Sequence, residues 1–204
     1  MYFLKYIFRI SKNPWDHVPI TQLHSVKESL ELLDMTNTNL SIIKNHEFHK
    51  MECLKILLLN NMENLESIEA LAFHSLNLET LEIKNNPKLT YIDPLAFYDT
   101  LQYSSPNNVK NLDLSNNALV NVPFDLIVWN NSDQINLSGN PFHCDCSISW
   151  MINQSWVIGN EYLICSSPDE LKDRTIQSLR LTELNCNDGK FLFLNCSIFV
   201  KEDI

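Results

Sequence analysis

The sequence predicts an α/β solenoid with short parallel strands on a concave face, a mostly irregular convex side and a disulfide-knit C-terminal cap. Three observations carry this. Leucines recur with a period near 24 residues. Each set bears the Leu-x-Leu alternation that sends every second side chain of a strand to one face. The last set runs into paired cysteines in NPFHCDCSISWM, residues 140–151.

The strands are read from five apolar sets: Leu30/Leu33/Met35, Leu54/Leu57/Leu59, Leu78/Leu81/Ile83, Val109/Leu112/Leu114 and, weakly, Ser132/Ile135/Leu137. A period near 24 lies in the range of leucine-rich repeats. Only the third-to-fourth step is stretched, and its extra residues fall in YDTLQYSSPNN (98–108), where Ser, Pro and Asn mark a loop. A second apolar set returns from the convex side: Leu40, Ile43 and Phe48, then Leu65, Ile68 and Phe73, then Leu89, Ile92 and Phe97. One repeat cannot bury its apolar face alone, and stacking makes the core continuous.

Asn86, Asn117 and Asn140 stand three residues after the second core residue of their strands. An amide there can pair backbone groups that the bend leaves open. Thr38 can replace it only in part and Met62 cannot, so a re-routed turn is expected between Asn60 and Leu65.

Bulk properties narrow the function. The chain has 204 residues, a formal charge of −10 and 45% apolar residues. An acidic chain without a basic patch argues against nucleic acid and anionic lipid as partners. Three glycines are too few for a Gly-rich phosphate loop, neither GxGxxG nor GxxxxGK[ST] occurs, and no cofactor is expected. No apolar run approaches the roughly 18 residues of a membrane span. Residues 1–10 are apolar in flavour but interrupted by Lys5 and Arg9, and make a poor signal peptide. The expectation is that the chain starts within a longer protein.

Cys144, Cys146, Cys165 and Cys186 form a CxC…C…C set. Zinc is the rival reading, with His143 and Asp145 alongside, but structural zinc sites favour CxxC spacing. The CxC spacing places both sulfurs on one strand edge and suits two separate bridges. Three pairings are open, and bridges imply an oxidising compartment. Cys53 is expected to be a small buried hydrophobe, too far from Cys196 for a bridge when strands stack about 5 Å apart. Sequons at Asn39, Asn130, Asn136, Asn153 and Asn195 agree with that compartment. Asn39, Asn130 and Asn153 are the favoured glycan acceptors. A glycan on Asn136, which lies on a strand, would cover the concave face.

Several segments carry a family resemblance. LELLDM (30–35), LNNMENLESI (59–68), NNPKLTYIDPLAF (85–97), NNAL (116–119) and the cap segment NPFHCDCSISWM resemble the leucine-rich repeat neuronal proteins. The resemblance covers roughly residues 30–186. It implies a single-pass cell-surface parent with a dozen or so repeats, followed by immunoglobulin-like and fibronectin-like domains. It implies bridges Cys144–Cys165 and Cys146–Cys186, with Trp150 packed inside the cap. Residues 1–29 are then an N-terminal segment or degenerate repeat, 30–140 the repeats and 141–186 the cap. Residues 187–204 are a tail or the start of a truncated immunoglobulin-like domain.

Strand alternation places Leu32, Asp34, Ile56, Leu58, Glu82 and Asp113 on the concave face. The three apolar residues should form an outward patch bordered by the acids, as recognition surfaces often do. The six histidines are scattered over different repeat positions and none belongs to a recognisable nucleophile motif, and Asp169, Glu170 and Glu183 read as solvated. The expected function is therefore non-catalytic: an extracellular or cell-surface module binding a protein ligand or co-receptor, with no nucleic acid and no small-molecule substrate. A secreted matrix repeat protein and the repeat segment of a peroxidasin-like enzyme are the alternatives.

Overall fold

The computed structural model describes residues 6–23, 25–48, 51–98, 109–152, 162–184 and 186. Its strands are β1 (Tyr6–Arg9), β2 (Leu30–Asp34), β3 (Ile42–Ile43), β4 (Ile56–Leu58), β5 (Ser67–Ile68) and β6 (Thr80–Glu82). They continue as β7 (Tyr91–Ile92), β8 (Asn111–Asp113), β9 (Gln134–Asn136), β10 (Phe142–His143) and β11 (Cys165–Ser167). Strands β1, β2, β4, β6, β8 and β9 form one parallel sheet in that order, and β3, β5 and β7 form a second. The fold is a leucine-rich-repeat solenoid.

Register explains the core. Leu33, Leu57, Leu81, Leu112 and Ile135 are direct partners across successive strands, and all are buried. Each such side chain contributes roughly 1.5–3 kcal/mol through burial. On the convex side, Ile43, Ile68 and Ile92 pair in the second sheet. Beneath them Phe48, Phe73 and Phe97 stack with centroids 5.9 and 4.7 Å apart. Because β1 pairs Phe8 with Leu33, Tyr6–Arg9 adds a strand where the leucine pattern gives no signal.

Each strand of the large sheet ends in the same bend. Asn37, Asn61, Asn85, Asn116 and Gly139 all take positive φ, between 54° and 69°. Asn tolerates this left-handed region better than other residues with a Cβ. Gly139 has a second reason, since a Cβ there would collide with Oδ1 of Asn116. Lys12 holds the same place after β1, at φ 62°.

One residue further on stands the buried amide. The Asn86 Oδ1 accepts the Met62 N–H at 2.7 Å, and its Nδ2 donates to the Leu59 carbonyl at 3.2 Å. The Asn117 Oδ1 accepts the Asn86 N–H at 2.9 Å, and its Nδ2 donates to Ile83 and Leu114. Asn140 accepts the Leu119 N–H and donates to Leu114 and Leu137. Each amide thus serves the repeat before its own.

That direction corrects the expectation of a re-routed turn between Asn60 and Leu65. Met62 follows the same path as Asn86: Leu65 N–H to Met62 O matches Leu89 N–H to Asn86 O, at 3.4 and 3.1 Å. The Met62 N–H needs only the amide of Asn86, which is present. Lacking an amide at Met62, the Thr38 N–H turns instead to the Met35 carbonyl at 3.3 Å.

Cys53 is exposed, not buried. Met51 and Leu54 fill the core on either side of it, and Cys53 lies between them on the outward turn. In the cap, β10 pairs with β11. Disulfides join Cys144 to Cys165 and Cys146 to Cys186, with Cα separations of 5.6 and 5.3 Å. The two sulfurs of the CxC pair do not share a strand edge. Asp145 intervenes, its Oδ1 accepting the Ser147 N–H at 2.8 Å to open the 3-10 helix Cys146–Met151. Trp150 packs at the junction with the last repeat, 4.7 Å from Trp129 and 5.7 Å from Phe124 between ring centroids.

Replacing Asn86 by Ala strands the buried Met62 N–H and Leu59 carbonyl. At about 1–3 kcal/mol for each unpaired group, Asn86→Ala should lose roughly 2–6 kcal/mol in urea unfolding. Asn13→Ala, at the open first turn, should cost about 1 kcal/mol or less.

Candidate functional site

Two outward rows cross the large sheet. One runs Ile7, Leu32, Ile56, Thr80, Asn111, Gln134, and the other Arg9, Asp34, Leu58, Glu82, Asp113, Asn136. Both follow from strand alternation with the core row between them. The first changes character along the solenoid, from aliphatic over β1, β2 and β4 to amide and hydroxyl over β6, β8 and β9. Leu32, Ile56 and Leu58 are half-buried by their neighbours, and Ile7 extends their patch with 59% of its surface exposed.

The polar half is a connected network. Lys84 places its Nζ 3.0 Å from Glu82 and 3.4 Å from Asp113. The Asn60 Nδ2 donates to Glu82 at 2.8 Å, and the Asn60 Oδ1 accepts the Lys84 N–H at 3.1 Å. Burial works against the Lys84 charge, but hydrogen bonds and charge attraction from Glu82 and Asp113 outweigh it and raise its pKa above the ordinary 10.5. Two carboxylates share one ammonium, so the network keeps a net negative charge. A hollow of about 320 Å³ opens over it, walled by Thr80, Asn111, Gln134, Glu82, Asp113 and Asn136.

Asp34, Asp113 and Asn136 occupy one repeat position, and each turns its Oδ1 onto the backbone N–H two residues ahead, at 3.0–3.1 Å. Asp113 and Asn136 also accept from the hydroxyls of Ser115 and Ser138. The recurring D/N-x-S/T was a legible signal of these side-chain turns. At Asp113 the other oxygen, Oδ2, is the one that faces Lys84. Along the strand-start edge, Glu31, Lys55, Glu79, Lys110 and Asp133 follow one another through backbone bonds of 2.8–2.9 Å. Their charges alternate, and the Lys55 Nζ lies 3.3 Å from Glu79. Opposite charges on adjacent strands favour this register.

Two pairings were invisible to the repeat pattern. His46 and His74 meet edge-on, 4.9 Å apart. In the cap, the His143 Nδ1 lies 2.7 Å from the Ser167 hydroxyl and its Nε2 3.9 Å from Asp145. The latter set has the residue types of a hydrolytic triad without its geometry. A separation of 3.9 Å does not orient an imidazole, and the other Asp145 oxygen is bound to Ser147. Glu183, expected to be solvated, instead pairs with Arg174 at 2.6 and 3.4 Å and accepts the Arg180 N–H. Hydrogen bonds from Arg174 and Arg180 hold its carboxyl below the usual range. Among the described residues no group of three or more His, Cys, Asp or Glu could hold a metal. No helix there is long and apolar enough to cross a membrane.

Of the sequon residues, Asn39 and Asn130 are exposed, and Asn136 is half-buried on β9. Asn153, Asn195, Cys196 and the tail 187–204 lie outside the described residues.

No family model matches the sequence. Trophoblast glycoprotein from Macaca fascicularis is 23% identical over 162 residues, covering 71% of this chain. The chain spans only 37% of the length of that relative. The crystal structure of human 5T4 (Wnt-activated inhibitory factor 1, trophoblast glycoprotein) aligns with a TM-score of 0.42 at 19% identity. That alignment covers 87% of this chain and 93% of the other.

The raised Lys84 pKa has a definite sign. Its stabilising effect is complete below the unfolded value near 10.5 and is lost as pH rises through the higher folded value. The unfolding free-energy difference between wild type and Lys84→Met should be flat below about pH 9.5 and narrow above about 10.5. Because Lys84 is 32% exposed, its amplitude should stay under about 1 kcal/mol. Non-reducing urea titrations across that range check this, and a difference that widens with pH contradicts it.

Proposed function

We propose that this chain is a non-catalytic extracellular recognition module of the neuronal leucine-rich-repeat type, acting in cell-surface adhesion or receptor signalling. It binds a protein ligand or co-receptor through the concave sheet face. Leu32, Ile56 and Leu58 supply the apolar contact, and Asp34, Glu82 and Asp113 the charged rim. The parent protein is a single-pass membrane protein carrying glycans on its exposed sequons.

One observation carries the reading. An aliphatic patch extended by the 59% exposed Ile7 adjoins a net-negative network on the same sheet face. Apolar groups lose more by facing water than charged ones, and a contiguous patch rimmed by charge is the usual form of a protein-binding surface. The Glu82–Lys84–Asp113 network is pre-ordered by its internal bonds, so a partner pays little to immobilise it. Two disulfides in the cap support an oxidising compartment.

The test is a binding screen of a tetramerised form of the chain against a panel of cell-surface and secreted ectodomains, repeated with Ile56→Glu/Leu58→Glu. Wild type should find a reproducible partner. The double variant should be secreted normally and lose at least about tenfold in affinity, since central apolar anchors dominate such interfaces. Binding left intact by the double variant would place the interface elsewhere.

A further inference from the structure

The hollow beside the Glu82–Lys84–Asp113 network has a chemistry that selects its occupant. Asn60 and Lys84 both engage the Glu82 Oε2, which leaves Oε1 open. The Asn111 Nδ2 donates to the Thr80 hydroxyl at 3.1 Å, which leaves its Oδ1 open. Asp113 holds Oδ1 on Ser115 and presents Oδ2 to Lys84 at 3.4 Å, with a lone pair to spare. The side chain of Gln134, exposed on β9, makes no hydrogen bond to another described residue. These groups are reachable from solvent: 30% of the Glu82 side chain and 23% of the Asp113 side chain are exposed.

The open groups stand on β6, β8 and β9, three neighbouring strands, and those that carry charge are acceptors. An anion is turned away, since Lys84 is already shared by two carboxylates. A metal ion is not matched, because among the described residues no group of three or more His, Cys, Asp or Glu could hold one. A second ammonium would be a compact, strongly hydrated point charge in a role Lys84 already fills. A guanidinium is flat, more weakly hydrated and carries five donors spread over a fork. It can therefore reach acceptors on adjacent strands at once. The hollow of about 320 Å³ is small beside most ligand pockets and ample for one long side chain.

We infer that this hollow takes the guanidinium of an arginine on the protein partner, while Leu32, Ile56 and Leu58 take an apolar side chain about 10 Å away. The inference rests on the concave-face reading above and adds the partner's chemistry to it. The spacing comes from register. Leu58, Glu82 and Asp113 are direct partners on successive strands, and two strand steps span about 10 Å. Charge complementarity supports the choice: the network holds two carboxylates against one ammonium, in a chain of formal charge −10. Bonds to Asn60, Thr80 and Ser115 fix the acceptors before a partner arrives. Lys84 moderates the site, since its ammonium weakens the pull of both carboxylates on a second cation.

The probe is the peptide acetyl-Leu-Pro-Pro-Arg-amide, whose polyproline II backbone sets Leu and Arg on one edge about 9 Å apart. It is titrated into the nitrogen-labelled, disulfide-bonded full chain at low salt and followed by NMR. The side-chain amide signals of Asn111 and Gln134 should shift saturably, together with the backbone signals of Ile56 and Leu58. The same peptide ending in citrulline, neutral and of like shape, should bind at least about tenfold more weakly, and one ending in lysine about fivefold more weakly. Glu82→Gln/Asp113→Asn keeps acceptors for the internal bonds and should erase the preference for arginine over citrulline. Lys84→Met should tighten binding of the arginine peptide about threefold. No saturable shift, equal binding of the citrulline or lysine peptide, or looser binding by Lys84→Met would overturn the inference. In the ectodomain screen, a partner lost by Ile56→Glu/Leu58→Glu but kept by Glu82→Gln/Asp113→Asn overturns the hollow's role alone. A partner indifferent to both pairs of substitutions overturns the concave-face reading itself.

Discussion

A solenoid of short strands is only as sound as its bends, because a bend buries peptide groups that no neighbouring strand can reach. Here that constraint is met by amides passed backwards from one repeat to the one before. Asn86 closes the bend of Met62, Asn117 that of Asn86, and Asn140 that before Leu119. Buried peptide groups must be paired, so the spacing of these asparagines also sets the spacing of the strands. The left-handed residue just before each amide gives the chain its exit angle. Where the amide ladder stops, at Met62, the preceding bend pairs within itself and leaves the Thr38 hydroxyl without a partner.

The two ends of the array differ accordingly. At the C-terminal end the last repeat is closed by β10 and β11, two disulfides and the Arg174–Glu183 pair, with Trp150 filling the seam against Trp129 and Phe124. Toward β1 the ladder has already ended, and aliphatic side chains face outward. The sheet face thus grades from apolar to polar along the array. On the binding face proposed above, that gradient would give a protein partner both a place to bury apolar surface and a charged region to set its register.

Much of the fold was legible because stacking forces periodicity. The inward row of leucines, the convex isoleucines and the Phe48–Phe73–Phe97 stack are each a consequence of one repeat lying on the next. Three things escaped the pattern, for physical reasons. β1 pairs through its backbone, which is indifferent to side-chain identity, so Tyr6 and Phe8 gave no leucine signal. The direction of the asparagine bonds is a matter of geometry between repeats: a missing amide at Met62 disturbs Thr38, not Met62. Contacts such as His46–His74 and Arg174–Glu183 depend on where turns bring side chains, which spacing alone does not encode. For the concave face, alternation reveals which side chains point outward. It does not reveal that Glu82 and Asp113 share Lys84, nor that Asp34 and Asp113 each commit an oxygen to a turn.

Residue-resolved hydrogen exchange on the native chain reads the amide ladder directly. The N–H groups of Met62, Asn86 and Leu119 lie in turns, where exchange is ordinarily fast. If side-chain amides lock the bends, these three should exchange as slowly as Leu57 and Leu81 in the centre of the sheet, while Thr38, beyond the ladder's end, exchanges faster. Exchange of Met62 and Asn86 at the rate of exposed, unbonded turn amides would contradict it.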